Sequence, residues 1–311
     1  IHHRGQAFVI CSRITAFACL AGVMIGGSGC TLPVHGAGKR LAVQPDSTPL
    51  FREYRPGCRL EIYQPVNHTP AARQPAILFV HGGGWVGNHP GMLSSHCRYF
   101  AARGLVAITV QYRLARSPDG PTILDCIADV KSAVRWVRAH ADELGIDPAR
   151  IVAAGESAGG HLVACAGLIK GLEELGHDTA TSSRPDAMIL FSPITDTTMP
   201  DGWDLVRLSG KVGKAVAARA RVISPIDHIM PGAPPTLVLH GTADNVVPIE
   251  CSERFVNDMR IAGNRAELVR LQGARHAFIL PGYGSKKDIG DALAAVERFL
   301  SATGMWPGDV K

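Results

Sequence analysis

Two hydrophobic rhythms alternate along the chain. Short continuous apolar runs at residues 76–80, 105–110, 151–154, 187–191 and 236–239 have the length and composition of strands buried on both faces. Residues 59–63 (Arg-Leu-Glu-Ile-Tyr) alternate at strand period, and residues 266–271 read as a further strand. Between the runs the period changes to that of a helix. Ile123, Ile127, Val130, Val134 and Val137 share one face of a segment over 123–140, and Ile289, Leu293, Val296, Phe299 and Leu300 stripe the last helix. Residues 92–103 read as a helix ended by Gly104, and 157–168 as a helix of small residues. Repeated strand, helix, strand order with fully apolar strands predicts an α/β domain, a mostly parallel sheet covered by helices on both faces. The chain shows no internal repeat.

The first thirty residues follow another pattern. Arg4 and Arg13 precede an acid-free run of apolar and small residues over 14–29 that ends at Cys30. This reads as an export signal, the uncharged run being short of the roughly 20 apolar residues of a membrane-spanning helix. Gly27-Ser28-Gly29-Cys30 resembles a lipobox but carries Gly27 where a larger aliphatic residue is usual. Both a lipoprotein signal and an ordinary signal peptide over 1–30 stand open. Either predicts an exported protein, periplasmic, extracellular or lipid-anchored at the envelope, with an N-terminal membrane tether in the lipidated case. Residues 31–50, rich in Gly, Pro, Ala and Ser, read as a linker, leaving 51–311 as one domain with a small cap insertion over 193–235.

Composition narrows the function. With 46% hydrophobic and 19% charged residues, the chain matches a well-cored globular protein. Its net charge of +5 comes from 32 basic against 27 acidic residues, spread without the basic runs that track a phosphate backbone, so nucleic acid is not an expected partner. The eight cysteines form neither CxxC pairs nor Cys/His clusters, so neither a metal nor another cofactor is expected. Cys126 and Cys165 fall inside apolar helical patterns, as small buried hydrophobes do.

The candidate chemistry lies in the loops. Gly155-Glu156-Ser157-Ala158-Gly159 follows one apolar strand directly and opens a helix, the context a nucleophile elbow requires. His81-Gly82-Gly83-Gly84-Trp85 follows another, and its glycines leave backbone N–H groups free to converge on an oxyanion. The expected donors are the N–H groups of Gly83, Gly84 and Ala158. Serine is a weak nucleophile at neutral pH and needs a base and an acid that orients it. Of thirteen histidines, His276 lies in a loop between the last strand and the last helix, and Asp244 lies just past the strand ending at Leu239. The order serine, acid, histidine is the one this arrangement uses. Asp227 and Asp258 are rival acids. Trp85, beside the glycine loop, has two readings: it stacks on a substrate sugar ring, or it packs in the core beneath the loop.

Taken together, residues 81–85, 110–114, 155–160, 241–248 and 273–278 resemble bacterial α/β-hydrolase esterases of the hormone-sensitive-lipase and acetyl-esterase type. The similarity runs from about residue 75 to 300. It implies the α/β-hydrolase fold, a triad of Ser157, Asp244 and His276, and an oxyanion hole of Gly83, Gly84 and Ala158. Segments 129–136, 145–148 and 157–162 look most like the branch containing acetyl-xylan and feruloyl esterases. That resemblance implies a short-acyl ester, on a carbohydrate or another small molecule. Glu156 departs from the pattern, since many relatives carry Asp there. A peptidase or lipase on the same fold, and a non-catalytic binding protein that keeps the fold, are the competing readings.

Overall fold

The computed structural model describes residues 48–173, 176, 178, 180–198 and 213–307. The expected export signal and residues 31–47 of the expected linker lie outside the described residues.

Each of the five short apolar runs between residues 76 and 239 forms a strand. The strands are β1 (Leu50–Arg55), β2 (Cys58–Tyr63), β3 (Gln74–Val80), β4 (Val106–Val110), β5 (Ile146–Glu156), β6 (Ala187–Phe191), β7 (Thr236–Gly241) and β8 (Ala266–Leu271). They make one sheet in the order β1-β2-β4-β3-β5-β6-β7-β8. β1, β2 and β4 pair antiparallel, and every pairing from β4 through β8 is parallel. The helices are α1 (Ser94–Ala101), α2 (Ile123–Ala139), α3 (Ala158–Leu168), the short α4 (Gly213–Ala217) and α5 (Ala220–Ile223), α6 (Ile249–Ile261) and α7 (Lys286–Ala302).

The period of two along each strand splits the core into two layers. Ala76, Leu78 and Val80 of β3 face a cluster with Ile127 and Val130 of α2, Leu162 of α3 and Phe255 of α6. Ile77 and Phe79 face the opposite cluster with Phe100 of α1 and Leu293, Val296 and Phe299 of α7. Helices therefore cover both faces, as the apolar strands require. Two long helices begin at reciprocal capping boxes, Thr122 with Asp125 for α2 and Ser285 with Asp288 for α7, each worth about 1 kcal/mol.

Three departures from the sequence reading have a clear physical reason or a local cause. β1 begins at Leu50, inside the expected linker; it is an edge strand whose first residues are exposed, so it lacks the apolar run that marks the central strands. β5 begins five residues before Ile151. Its register to β3 jumps from Gln74↔Ile146 to Ala76↔Ile151, so the extra residues, Pro148 among them, bulge out of a ladder that proline cannot join as donor. The helix expected over 92–103 spans Ser94–Ala101, preceded by a 3-10 turn at Pro90–Leu93.

Parallel pairing sets the position of the site. Val80 is opposite Gly155, Glu156 opposite Phe191, and Gly241 opposite Leu271. The loops after β3, β5, β7 and β8 thus leave the sheet along one edge, the carboxyl edge where ligands bind in open α/β sheets.

Candidate active site

Ser157 stands between β5 and α3 with φ +54° and ψ −120°, a conformation L residues rarely adopt and one that surrounding structure must enforce. Its N–H donates to Phe191 O at 2.8 Å. The turn tolerates no side chain on its glycines: a Cβ on Gly155 would stand 2.3 Å from Gly159 O, and one on Gly159 would stand 2.2 Å from Val80 O. The second contact also shows how tightly the elbow is pressed onto the end of β3.

The serine hydroxyl donates to Nε2 of His276 at 2.9 Å, and His276 Nδ1–H donates to Asp244 Oδ2 at 2.8 Å. The acid partner fixes the imidazole tautomer, leaving Nε2 as acceptor. Asp244 is itself held by an Asx turn, its Oδ1 accepting the N–H groups of Val246 and Val247 at 2.9 and 3.0 Å. Asp227 sits in a one-turn 3-10 segment and Asp258 lies on α6 near Arg254; the structure brings neither to His276. Burial alone would raise the Asp244 carboxyl, but hydrogen bonds from His240 and His276 hold it far below the usual carboxylate range. Burial would lower His276, and the hydrogen bond to Asp244 outweighs it, with the charges of Asp244 and Glu156 adding, so the imidazole is raised.

Sequence reasoning did not single out His240. This wholly buried residue accepts from Ser252 Oγ–H at Nδ1, 2.7 Å, and shares its Nε2–H between Val247 O at 3.0 Å and Asp244 Oδ2 at 3.2 Å. It braces the same carboxylate oxygen that His276 contacts. Its place four residues before Asp244, at the end of an apolar strand, was the available signal.

The glycine loop is anchored at both ends. Tyr112 O–H donates to His81 O at 3.0 Å and its ring stacks on the His81 imidazole with centroids 4.4 Å apart. Gly83 (φ +107°) and Gly84 (φ +60°) take left-handed backbone, and Gly83 O accepts the N–H groups of Val86 and Gly87 at 3.1 and 2.9 Å. A Cβ on Gly83 would stand 2.6 Å from Gly87 O. Ala158 is the first residue of α3, where an N–H has no intrahelical carbonyl.

The expectation that Trp85 stacks on substrate is corrected. Its side chain is 0% exposed, its indole N–H donates to His161 Nδ1 at 3.2 Å, and His161 in turn donates from Nε2 to Ile223 O at 2.8 Å. Trp85 is a core residue that ties the loop to α3 and to the segment after β6. In the expected cap insertion Asp196 is also buried, bonded to Arg254 and Thr198; residues 199–212 of that insertion lie outside the described residues. A cavity of about 650 Å³ opens at the far end of α3, lined by Lys131, Ile169 and Arg184 among others; none of Ser157, Asp244 and His276 borders it. No group of metal-ligating side chains forms among the described residues.

A serine on a strained elbow at the carboxyl edge of a parallel sheet, bonded to a histidine from the loop after β8 that is bonded in turn to an acid from the loop after β7, defines an α/β-hydrolase of the hormone-sensitive-lipase esterase type. The chain belongs to the BD-FAE family, whose model matches residues 60–259. It is 31% identical over 268 residues to the probable carboxylic ester hydrolase LipM of Mycobacterium tuberculosis, covering 81% of this chain and 59% of that protein. It is 33% identical to esterase LipC of the same organism, covering 68% and 55%. The chain thus spans somewhat over half the length of these curated relatives. Among solved structures, esterase 2 of Thermogutta terrifontis phosphorylated by paraoxon superposes with a TM-score of 0.76 at 38% identity, covering 85% of this chain and 97% of that one.

Proposed function

We propose that this protein is a serine carboxylic-ester hydrolase that cleaves short acyl esters through an acyl-enzyme on Ser157. The observation that carries the reading is the hydrogen-bond chain Ser157 Oγ, His276, Asp244 on a strained elbow. In the first step the Ser157 oxygen attacks the ester carbonyl carbon as its proton passes to His276 Nε2. The carbonyl oxygen becomes an oxyanion that the N–H groups of Gly83, Gly84 and Ala158 stabilise, at roughly 3 kcal/mol per donor. Collapse of the tetrahedral intermediate expels the alcohol, which takes the proton from His276. Water then repeats the sequence on the acyl-enzyme, giving up a proton to His276 and releasing the acid and the free serine.

Support for short acyl groups comes from the Thermogutta esterase, whose structures include propionate-bound and butyrate-bound forms. An acetylated saccharide as substrate rests on the resemblance of segments 129–136, 145–148 and 157–162 to carbohydrate esterases; with Trp85 buried, stacking on a sugar no longer supports it. Export, with lipidation or cleavage near Cys30, belongs to the same proposal. Mass spectrometry of the native N-terminus checks it, and an intact, unmodified residue 1 overturns it.

Kinetics on p-nitrophenyl esters from acetate to palmitate, run beside acetylated xylan, test the substrate. Activity is expected to peak at acetate to butyrate and to fall steeply beyond about six carbons, because each CH₂ left in water forfeits roughly 0.8 kcal/mol of burial. A kcat/KM maximum at octanoate or longer indicates a lipase. A purified protein that no fluorophosphonate probe labels is a binding protein.

A further inference from the structure

Glu156 ends β5 beside Ser157, and its side chain is buried. Two parts of the site meet its carboxyl. From the loop after β3, the backbone N–H of Gly82 acts on it in favour of the ionised form. The fit is close enough that a Cβ on residue 82 would stand 2.1 Å from Glu156 Oε2. From the loop after β8, His276 Nε2 lies 3.7 Å from Glu156 Oε1, and this is the nitrogen that receives the serine hydroxyl. The other ionisable groups acting on the carboxyl are Asp244, from the loop after β7, and Tyr112, from the segment after β4. His81 stacks on Tyr112 and is neutral near pH 7, since burial lowers it to about 4.

We propose that Glu156 is a positioning residue with two tasks: its carboxylate pins Gly82, and so the glycine loop, against the nucleophile elbow, and its charge steadies the imidazolium formed when His276 takes the serine proton. The proposal rests on the reading of His276 as the base. Gly82 contributes by lacking a side chain, which lets a carboxyl reach the backbone of the loop that holds Gly83 and Gly84. The charge acts where a proton arrives during reaction, on Nε2, whereas Asp244 acts on Nδ1. Burial pushes Glu156 up to about 7, against the pull of His276 and the Gly82 N–H and with the repulsion of Asp244 adding. Each group acts on the other's ionisation, His276 favouring the charged carboxylate and the carboxylate raising the imidazole, so the two titrate as a coupled pair. A proton on either group weakens the other's hold on its own, so the acid limb of the parent's activity should be spread over a wider pH span than a single ionisation. Because the same charge opposes the nearby oxyanion, its removal should change kcat less than it changes the pH profile.

The test is the pH dependence of kcat and KM on p-nitrophenyl acetate for the parent and for Glu156→Gln, Glu156→Asp and Glu156→Ala. Gln keeps an acceptor for Gly82 N–H without the charge. It should move the acid limb of kcat/KM down by about half a unit or more, with the slope of one ionisation, since a nearby opposite charge raises an imidazole. Asp should return the limb toward the parent. Ala loses both tasks and should lower kcat at least about ten-fold below Gln, with KM little changed, as expected when oxyanion donors are misplaced. A Gln limb superimposable on the parent's overturns the charge role, and equal kcat for Ala and Gln overturns the clamp. Should the Gln variant not fold, NMR titration of His276 in the parent replaces it: two inflections are expected, and a single one overturns the coupling. Failure of the base assignment is separately recognisable, because His276→Ala would then remain active.

Discussion

Asp129 and Asp244 are both buried carboxylates at 0% side-chain exposure, and their partners give them opposite uses. Asp129, on α2, is clasped by guanidinium groups: Arg55 bonds its Oδ1, and Arg113 reaches it through Nε at 3.0 Å, Nη2 at 2.9 Å and its backbone N–H at 2.8 Å. Guanidinium keeps its proton at any working pH, so this cluster cannot respond to chemistry nearby. It locks β1 and the segment after β4 onto α2. Asp244 is faced by two imidazoles instead, His276 and His240, and His276 is held ready to take up the serine proton, its imidazole raised by the Asp244 carboxylate. Permanent charge makes a staple, and titratable charge makes a relay.

The contrast is broken most severely by removing the relay's ends. Ser157→Ala or His276→Ala should lower kcat by about 10⁴-fold or more with the fold intact, because a triad acts as a unit; steady-state kinetics with circular dichroism checks this, and activity within ten-fold of the parent contradicts it. Exchanging the same atom at the two carboxylates comes next. Asp244→Asn should cost about 10⁴-fold in kcat through the wrong tautomer of His276. Asp129→Asn should instead leave activity per folded molecule near the parent's and cost about 3–5 kcal/mol of stability, since charged partners stay behind. Urea unfolding and active-site titration separate the two outcomes.

A smaller effect is expected in the oxyanion loop. Gly83→Ala should reduce kcat by about 10²-fold with KM less affected, because φ +107° and the 2.6 Å approach to Gly87 O force the donors out of place. The mildest prediction concerns pH. His276 is raised in the folded state and must be neutral to act as base, so activity rises as pH passes its folded value. Its pairing stabilises the fold below the unfolded histidine range and ceases to do so as pH climbs through the folded value. The depressed Asp244 has the opposite sign: its contribution is present above the unfolded carboxylate range and is lost on acidification. Any variant with measurable residual activity that removes the Asp244 charge should therefore show an acid limb at lower pH than the parent, which a kcat/KM profile reads directly.

Much of this molecule is local and so was legible in the chain. An apolar run closed by glycine specifies a buried strand wherever it sits, and a serine between such a run and a small-residue helix specifies an elbow, because crowding at Gly155 and Gly159 involves neighbours in sequence or the adjoining strand. The order Ser157, Asp244, His276 placed each residue on a loop after a strand. What the chain alone left open was long-range. Trp85 beside a glycine loop has the same sequence whether it faces substrate or His161, and packing against α3 decided for the core. Asp227, Asp244 and Asp258 were all available acids until the parallel order β3-β5-β6-β7-β8 brought the loops after β5, β7 and β8 to one edge. His240 and Glu156 acquire their roles only through contacts with other strands' loops. Periodicity reports how a segment buries its own side chains; which segments converge is settled by sheet order and register, and those depend on the whole set of strands at once.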